Sequence, residues 1–291
     1  MCETCGCEGD GAVVHHPGGE HTHVLPDGRV VRHSHAHEGH SHDHAHPHPH
    51  AHAEPDRHRF VRVEPLGVRV LARNDAAAAR NRRELASRGV FALNLMSSPG
   101  AGKTTLLTKT LPPLLARGPV AVVEGDQATS IDGDRIAATG APVVQINTGK
   151  GCHLEADMLH TGLEQLAPGP GTLLVVENVG NLVCPALFDL GEGARVVLLS
   201  VTEGDDKPAK YPHMFSVADL VVFTKIDLLP HVDFDVARAR DAVTTLNPRT
   251  TFLEVSARTG AGMDAWIDWL DARRPTATEP DTTEGDTMES A

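Results

Sequence analysis

From Val90 onward the chain alternates short aliphatic and β-branched runs with stretches whose apolar positions recur at helical spacing. The runs predict strands at Phe91–Met96, Val120–Val123, Val143–Ile146, Leu173–Val176, Val196–Val201, Leu220–Phe223 and Phe252–Val255. Between them the spacing predicts helices over Thr104–Ala116, Ser130–Thr139, His153–Leu166, Val236–Leu246 and Met263–Arg273. Strands of this composition alternating with such helices imply an α/β domain with a mostly parallel sheet flanked by helices. Ahead of it, Leu66–Arg88 is rich in Ala, Arg and Leu, and reads as a lead-in helix ended by Gly89.

The segment before that helix has a different character. Residues 1–58 hold fifteen of the nineteen histidines but only seven large aliphatic residues: Met1, Val13, Val14, Val24, Leu25, Val30 and Val31. Such a stretch cannot bury enough apolar surface to offset its loss of chain entropy, so most of it is expected to be disordered. His46-Pro47-His48-Pro49-His50 is expected to be locally extended, because proline disfavours helix in the residue before it. The Thr/Glu/Asp/Pro-rich tail from Pro275 is expected to be disordered as well. The expected organisation is a Cys/His-rich segment over 1–65, the lead-in helix over 66–89, the α/β domain over 90–274 and an acidic tail over 275–291. No internal repeat is present.

At 291 residues the chain is long enough for one large α/β domain with appendages. A formal net charge of −13 argues against a nucleic-acid partner. No apolar run approaches the ~20 residues that a membrane helix needs. The N-terminal Met-Cys-Glu-Thr-Cys-Gly-Cys lacks the basic and apolar regions of a signal peptide, so a cytoplasmic location is expected. Five cysteines, an odd number in that reducing setting, fit metal ligation better than a disulfide framework.

Ser97-Ser98-Pro99-Gly100-Ala101-Gly102-Lys103-Thr104-Thr105 follows a predicted strand and opens a predicted helix, which is the setting a phosphate-binding loop needs. Backbone N–H groups from Ser98 to Thr105 would wrap the phosphates at the positive helix end, and Lys103 would neutralise β/γ charge. Thr104 would give its hydroxyl to Mg²⁺. Ser97 stands where the usual pattern has its first glycine. The competing reading, a glycine turn beside a surface lysine, does not account for the flanking strand and helix.

Thr224-Lys225-Ile226-Asp227 ends another strand and resembles the base-reading motif of GTPases. Asp227 can accept from guanine N1–H and the 2-amino group. Adenine lacks those donors and would leave the carboxylate unpaired, so GTP is favoured over ATP. Lys225 would lie along the base. Ser256-Ala257, after the last strand, resembles the loop that meets guanine O6. For hydrolysis, Asp126 at the end of Glu124-Gly125-Asp126 is the candidate for orienting water or holding Mg²⁺ through water. In Glu177-Asn178-Val179-Gly180, Glu177 would serve Mg²⁺ and the Gly180 N–H would meet the γ-phosphate. The bland alternative for each acid is a helix cap or a solvated loop. No arginine finger or catalytic glutamine stands out, so intrinsic turnover is expected to be slow.

Three groups of residues suit metals. Cys152, His153 and Cys184 fall on strand-end loops that converge at one sheet edge, and two thiolates with an imidazole suit Zn²⁺ or Ni²⁺. Each cysteine alone reads equally well as a small buried hydrophobe. His160, seven residues beyond His153, would share a helical face with it, as an extra ligand or as an ordinary surface histidine. Cys2, Cys5 and Cys7 gather three thiols within six residues, and a nitrogen-completed square plane would favour Ni²⁺; redox chemistry is the competing reading. The runs His33–His37 and His40–His52 form a low-specificity metal sponge that protonation near pH 5 would empty.

Together these blocks resemble the nickel-insertion GTPases of [NiFe]-hydrogenase maturation, the HypB type. The resemblance covers almost all of Leu66–Arg273 and is most specific in Ser97–Thr105, Glu124–Gln127, Asn147–Leu154, Glu177–Pro185, Ser200–Phe215 and Lys225–Leu229. It implies a P-loop GTPase domain that dimerises with GTP, a high-affinity nickel site at Cys2, Cys5 and Cys7, and a weaker Ni²⁺/Zn²⁺ site at Cys152, His153 and Cys184. It implies, as partners, the hydrogenase large subunit and a second nickel chaperone. Thr224 departs from the usual asparagine, which puts one guanine-loop contact in doubt. A urease accessory GTPase is disfavoured because Cys184-Pro185 is followed by Ala186 rather than histidine. A nickel buffer whose GTP site serves only assembly is the rival from another class, and a cobalamin-enzyme chaperone has no obvious place for these thiols.

Overall fold

The computed structural model describes residues 14–15, 20–24, 30–34, 66–126, 131–149 and 151–275. The chain divides into two units, 1–68 and 69–291. In the first, β1 (Val14–His15), β2 (Glu20–Val24) and β3 (Val30–Ser34) form a three-stranded antiparallel sheet in that order. The sequence reading anticipated no strands here. Val24 pairs with Val30, and the intervening sequence contains Pro26-Asp27-Gly28, whose residue types favour a reversing turn. The other readings made for residues 1–65, including the sites at Cys2, Cys5 and Cys7, lie outside the described residues, as does the tail beyond Pro275.

Helix α1 (Leu66–Ser87) spans the division, and from Arg69 it belongs to the second unit. That unit continues in chain order through β4 (Phe91–Ser97), α2 (Lys103–Leu115), β5 (Val120–Asp126), α3 (Ile131–Ala137), β6 (Val143–Asn147), α4 (Ala156–Leu166) and β7 (Leu173–Glu177). The remainder is α5 (Cys184–Leu187), β8 (Ala194–Ser200), α6 (Lys207–Lys210), α7 (Pro212–Ser216), β9 (Leu220–Thr224), α8 (Val236–Leu246), β10 (Thr251–Val255) and α9 (Met263–Asp271). A 3₁₀ helix spans Ile226–His231.

All seven strands anticipated from the sequence are present. They form one parallel sheet in the order β10-β9-β8-β4-β7-β5-β6. Alternate residues of each strand enter different cores, as the period of two requires. Leu93, Leu95, Leu173, Val175, Leu220 and Val222 join Leu106, Leu107 and Trp266 of α2 and α9 on one face. On the other face, Leu174 and Val176 pack with Leu85, Leu159 and Leu163 of α1 and α4, while Val221 and Phe223 pack with Met214, Phe215 and Val243. Trp266 is fully buried, and its indole N–H donates to Thr110 Oγ1 at 2.9 Å, so its one polar group is not stranded in that core.

Helix α1 is tied down by two asparagines. Asn74 Nδ2 donates to Asp189 O (2.7 Å), and Asn81 Nδ2 donates to both Ala156 O (2.7 Å) and Leu190 O (3.0 Å). The small faces of Ala77 and Ala78 allow close approach to Ala156.

Strand β5 runs three residues further than predicted, to Asp126, and one misplaced helix start changes the reading of the site. Helix α4 starts at Ala156 rather than at His153. Leu154 N–H is already committed to the side chain of Asn178, and Glu155 is extended (φ −104°, ψ 159°). His153 therefore sits on a loop and shares no helical face with His160, whose Nδ1 lies 3.1 Å from Glu84 Oε2 on α1. The sequence reading also missed α5, α6 and α7, which are too short for periodicity to reveal.

Candidate functional site

The central strand β4 has β8 on one side and β7 on the other, and the chain leaves its C-terminal end as the Ser97–Gly102 loop. A reversal of strand order at that point opens the crevice where α/β sheets bind ligands. The loop turns through Gly100 (φ +77°) and Gly102 (φ +101°), left-handed conformations that side chains resist. The Lys103 ammonium donates to Ser97 Oγ (3.1 Å), and Ser97 Oγ donates to Ser98 O (2.7 Å), so the serine replacing the first glycine braces the loop from within. Ser98 Oγ donates to Glu203, a residue of the β8–α6 connection that the sequence reading passed over. Burial pulls the Lys103 pKa below the usual lysine range, while Glu177, Asp132, Glu124 and Glu203 oppose that shift. A buried cation awaiting phosphate charge has this character.

A polar cavity of about 510 Å³ opens over the loop, bounded by Lys103, Thr104, Asp126, Glu177 and Gly180 among others. A methyl group at Gly180 would stand 3.0 Å from Pro99 Cα, so this loop and the P-loop touch backbone to backbone. Thr104 Oγ1 donates to Glu177 Oε1 at 2.8 Å. Glu124 and Glu177 are register neighbours on β5 and β7, both buried, and the Oε2 atom of each has no hydrogen-bond partner. Burial is the main reason that the Glu124 pKa rises to about 8 and the Glu177 pKa to about 7. A hydroxyl beside an orphaned, buried carboxylate oxygen is a donor set that fits Mg²⁺. Sequence reasoning did not single out Glu124, although its place two residues before Asp126 puts it on the same strand face. Nor did it find Asp132 and Arg135 of α3, which also line this cavity.

Beside it lies a second cavity of about 230 Å³, lined by Ala101, Gly102, Thr105, Lys225, Asp227 and Ala257 among others. Ser256 Oγ donates to Asp227 Oδ1 at 2.6 Å and fixes the carboxylate. Ser256 N–H is used within its own turn, donating to Ala261 O at 2.9 Å, whereas Ala257 faces the cavity. Lys225 adopts a left-handed conformation (φ +60°), uncommon for a residue with a side chain. Its ammonium donates to Gly100 O at 2.7 Å. Thr224 Oγ1 donates to Ala101 O at 2.8 Å, so the threonine that departs from the usual asparagine fastens the base loop to the phosphate loop.

At the same end of the sheet, Cys152, His153 and Cys184 bring one ligand atom each within 4.8 Å of one another. The Cys152 and Cys184 sulfurs are 3.0 Å apart, and Cys152 Sγ lies 3.7 Å from His153 Nδ1. Burial beneath Phe188, whose ring centroid is 3.9 Å away, lowers the His153 pKa to about 4. The imidazole is thereby neutral, the form that binds metals, and its Nε2 is buried without a hydrogen-bond partner. Two soft thiols and a neutral imidazole fit Ni²⁺ or Zn²⁺. Among the described residues, these two cysteines and one histidine are the His, Cys, Asp or Glu set of three or more whose ligand atoms converge closely enough for a metal ion.

A phosphate loop on the central strand, an acid-floored base cavity and a parallel sheet flanked by helices define a nucleotide-binding domain of the P-loop GTPase kind. Residues 91–254 match the family model described as CobW/HypB/UreG, nucleotide-binding domain. The hydrogenase maturation factor HypB of Rhizobium leguminosarum bv. viciae is 57% identical over 202 residues, which cover 69% of this chain and 68% of that one. Among solved structures, HypB from Archaeoglobus fulgidus aligns with a TM-score of 0.65 at 40% identity, covering 69% of this chain and 98% of the other. HypB from Helicobacter pylori in complex with nickel aligns with a TM-score of 0.64 at 36% identity, covering 71% and 100%. The chain belongs to the CobW/HypB/UreG family and, within it, to the HypB hydrogenase maturation factors.

Proposed function

We propose that this chain is a GTP-hydrolysing nickel chaperone, which binds Ni²⁺ or Zn²⁺ as cargo and passes nickel to the large subunit of a [NiFe]-hydrogenase during its maturation. The observation that carries the reading is the meeting of Cys152, His153 and Cys184 at the same end of the sheet as the phosphate loop. The nickel complex of the Helicobacter pylori relative supports the choice of metal.

Asp227 and Ala257 would read guanine, and Lys225 would lie along the base. Backbone N–H groups of Ser98 and of Gly100–Thr105 would hold the phosphates, with Lys103 neutralising their charge and Gly180 N–H meeting the γ-phosphate. Mg²⁺ bound with the nucleotide would supply further charge neutralisation, held by Thr104 and Glu177, with Asp126 acting through water. Alternatively Asp126 would orient the attacking water, and turnover by the isolated protein is expected to be slow. Hydrolysis would move the Glu177–Gly180 loop, which leads directly into Cys184, and so change the grip on the metal. The protein is expected to work in the cytoplasm as a GTP-dependent homodimer, receiving or handing on nickel through a second nickel chaperone, with Cys2, Cys5 and Cys7 as a tighter nickel site.

The test is nickel delivery to the hydrogenase precursor by wild type and by K103A, alongside Ni²⁺ titration of GDP- and GTP-analogue-loaded protein. Delivery that needs Lys103, with a metal affinity that differs between the nucleotide forms, is the expected result. Undiminished delivery by K103A would make the protein a nickel buffer whose GTP site serves assembly alone. Equal affinities would remove the coupling.

A further inference from the structure

Leu154, the residue after His153, is gripped from two sides. Its N–H donates to Asn178 Oδ1 at 3.1 Å. Its side chain, fully buried, lies directly over Gly125: a Cβ placed on Gly125 would fall 2.7 Å from Leu154 Cγ. Both supports adjoin residues that line the phosphate cavity, Asp126 beside Gly125 and Glu177 and Val179 beside Asn178. Asn178 follows Glu177, and its Oδ1 also accepts from Val179 N–H at 2.9 Å, next to Gly180. Gly125 separates Glu124 from Asp126 at the end of β5.

Asn178 is itself anchored. Its Nδ2 donates to Asn94 Oδ1 on the central strand at 3.2 Å, and Asn94 Nδ2 donates to Glu192 Oε1 at 3.3 Å. Asn178 is 1% exposed, so none of these bonds can be exchanged for water without cost. The segment leaving Asn178 reaches Cys184 six residues later, while the segment held by Leu154 carries Cys152 and His153. One side chain thus joins the two halves of the metal site immediately behind the nucleotide-sensing loop.

We propose that Asn178, together with Leu154 seated over Gly125, is the coupling element that sets the separation of Cys152 and His153 from Cys184 according to the bound nucleotide. The inference rests on the functional reading above and names its moving part. When Glu177–Gly180 or Glu124–Asp126 shifts toward a γ-phosphate, Leu154 follows through its amide and its side chain, and the ligand loop moves with it. Asn178 is a positioning residue: it touches neither nucleotide nor metal.

The test uses the full chain with Cys2, Cys5 and Cys7 replaced by Ser, so that nickel–thiolate charge-transfer absorption reports Cys152 and Cys184 alone. Ni²⁺ is titrated into GDP-loaded and GTP-analogue-loaded protein, with and without N178A or L154A. The expected result is a wild-type affinity ratio of about fivefold or more, the lower end of usual coupling. In each variant that ratio should fall toward one, while the thiolate band persists and GDP affinity stays within about threefold, the small residue of a severed coupling. A full wild-type ratio in N178A overturns the inference while leaving the functional reading intact. A ratio of one in the wild type itself removes the functional reading and the inference with it. Should the variants not fold, amide exchange at Leu154 in the metal-free parent chain decides. A change of about fivefold or more between nucleotide forms is the expected result; equal exchange overturns the proposal.

Discussion

Thr104 Oγ1 and Glu177 Oε1 are joined by a 2.8 Å hydrogen bond that ties the first turn of α2 to the C-terminal end of β7. The bond holds Glu177 with its second oxygen buried and unpartnered beside the phosphate cavity. Replacing the hydroxyl by a methyl group, in T104V, should remove the Mg²⁺ contribution to nucleotide binding without blocking the cavity. Wild-type affinity for a fluorescent GDP should fall at least ~10-fold when EDTA replaces Mg²⁺, since a ligand to a divalent ion is worth upward of ~1.4 kcal/mol. T104V should bind about equally with and without Mg²⁺. A full Mg²⁺ effect in T104V would show that the threonine is no ligand.

Glu124 has a folded-state pKa of about 8, against an ordinary value of 4.5, chiefly because it is buried and secondarily because Glu177 is close. The sign follows from proton binding. Between those values the folded chain keeps a proton that the unfolded chain releases, so this contribution to stability is complete below about pH 4.5 and lost as pH rises through about 8. The amide introduced by E124Q cannot titrate. Without nucleotide, E124Q should melt close to wild type at about pH 5 but higher at about pH 8.5, by at least ~3 °C, or roughly 1 kcal/mol for a domain of this size. A melting difference that does not grow with pH would contradict this account.

Asp227 is the residue proposed to read the base: Ser256 Oγ holds its carboxylate at 2.6 Å, and it lines the smaller cavity. D227N replaces an acceptor by an amide that can donate. Guanine then loses two charge-assisted bonds, and xanthine, with a carbonyl in place of the 2-amino group, gains a partner. GDP affinity should drop ~150- to ~25,000-fold while XDP affinity rises above it, since each of the two bonds to a charged group is worth about 1.5–3 kcal/mol. Competition binding with GDP, XDP and ADP would show it, and an unchanged order of preference would place the base elsewhere.

Asn81 is completely buried in α1, and its amide bridges Ala156 O at the start of α4 and Leu190 O just beyond α5. N81L is similar in volume yet leaves both carbonyls without the amide donor, so it should destabilise the domain by roughly 2–4 kcal/mol, near 1–3 for each unsatisfied buried group after partial relaxation. Denaturant unfolding measures this directly. A loss below about 0.5 kcal/mol, the level of an ordinary surface change, would mean that α1 is not held as described.

Much of the domain was legible from pattern alone, because its strands are apolar on both faces and its longer helices repeat for three turns. The phosphate loop was legible because strand, glycines, Lys103 and Thr104 follow one another along the chain. Glu203, Arg135 and Asn178 were not: each acts on residues distant in sequence, and an isolated Glu, Arg or Asn carries no periodic signal. The misjudged start of α4 has the same origin. Met158, Leu159 and Leu163 show helical spacing, but Asn178 captures the Leu154 amide from another strand end and holds the preceding residues in a loop.

Composition and spacing, then, determined by themselves the parallel α/β architecture and the P-loop nucleotide-binding class, and supplied the candidate metal ligands, since these depend on local chemistry along the chain. Tertiary structure alone decided that Cys152, His153 and Cys184 meet, that Glu124 lies buried in register with Glu177, and that the Leu154 side chain packs over Gly125. The physical reason is that the sheet brings the C-terminal ends of β5, β6 and β7 side by side, so contacts between residues dozens of positions apart exist only once those strands are paired.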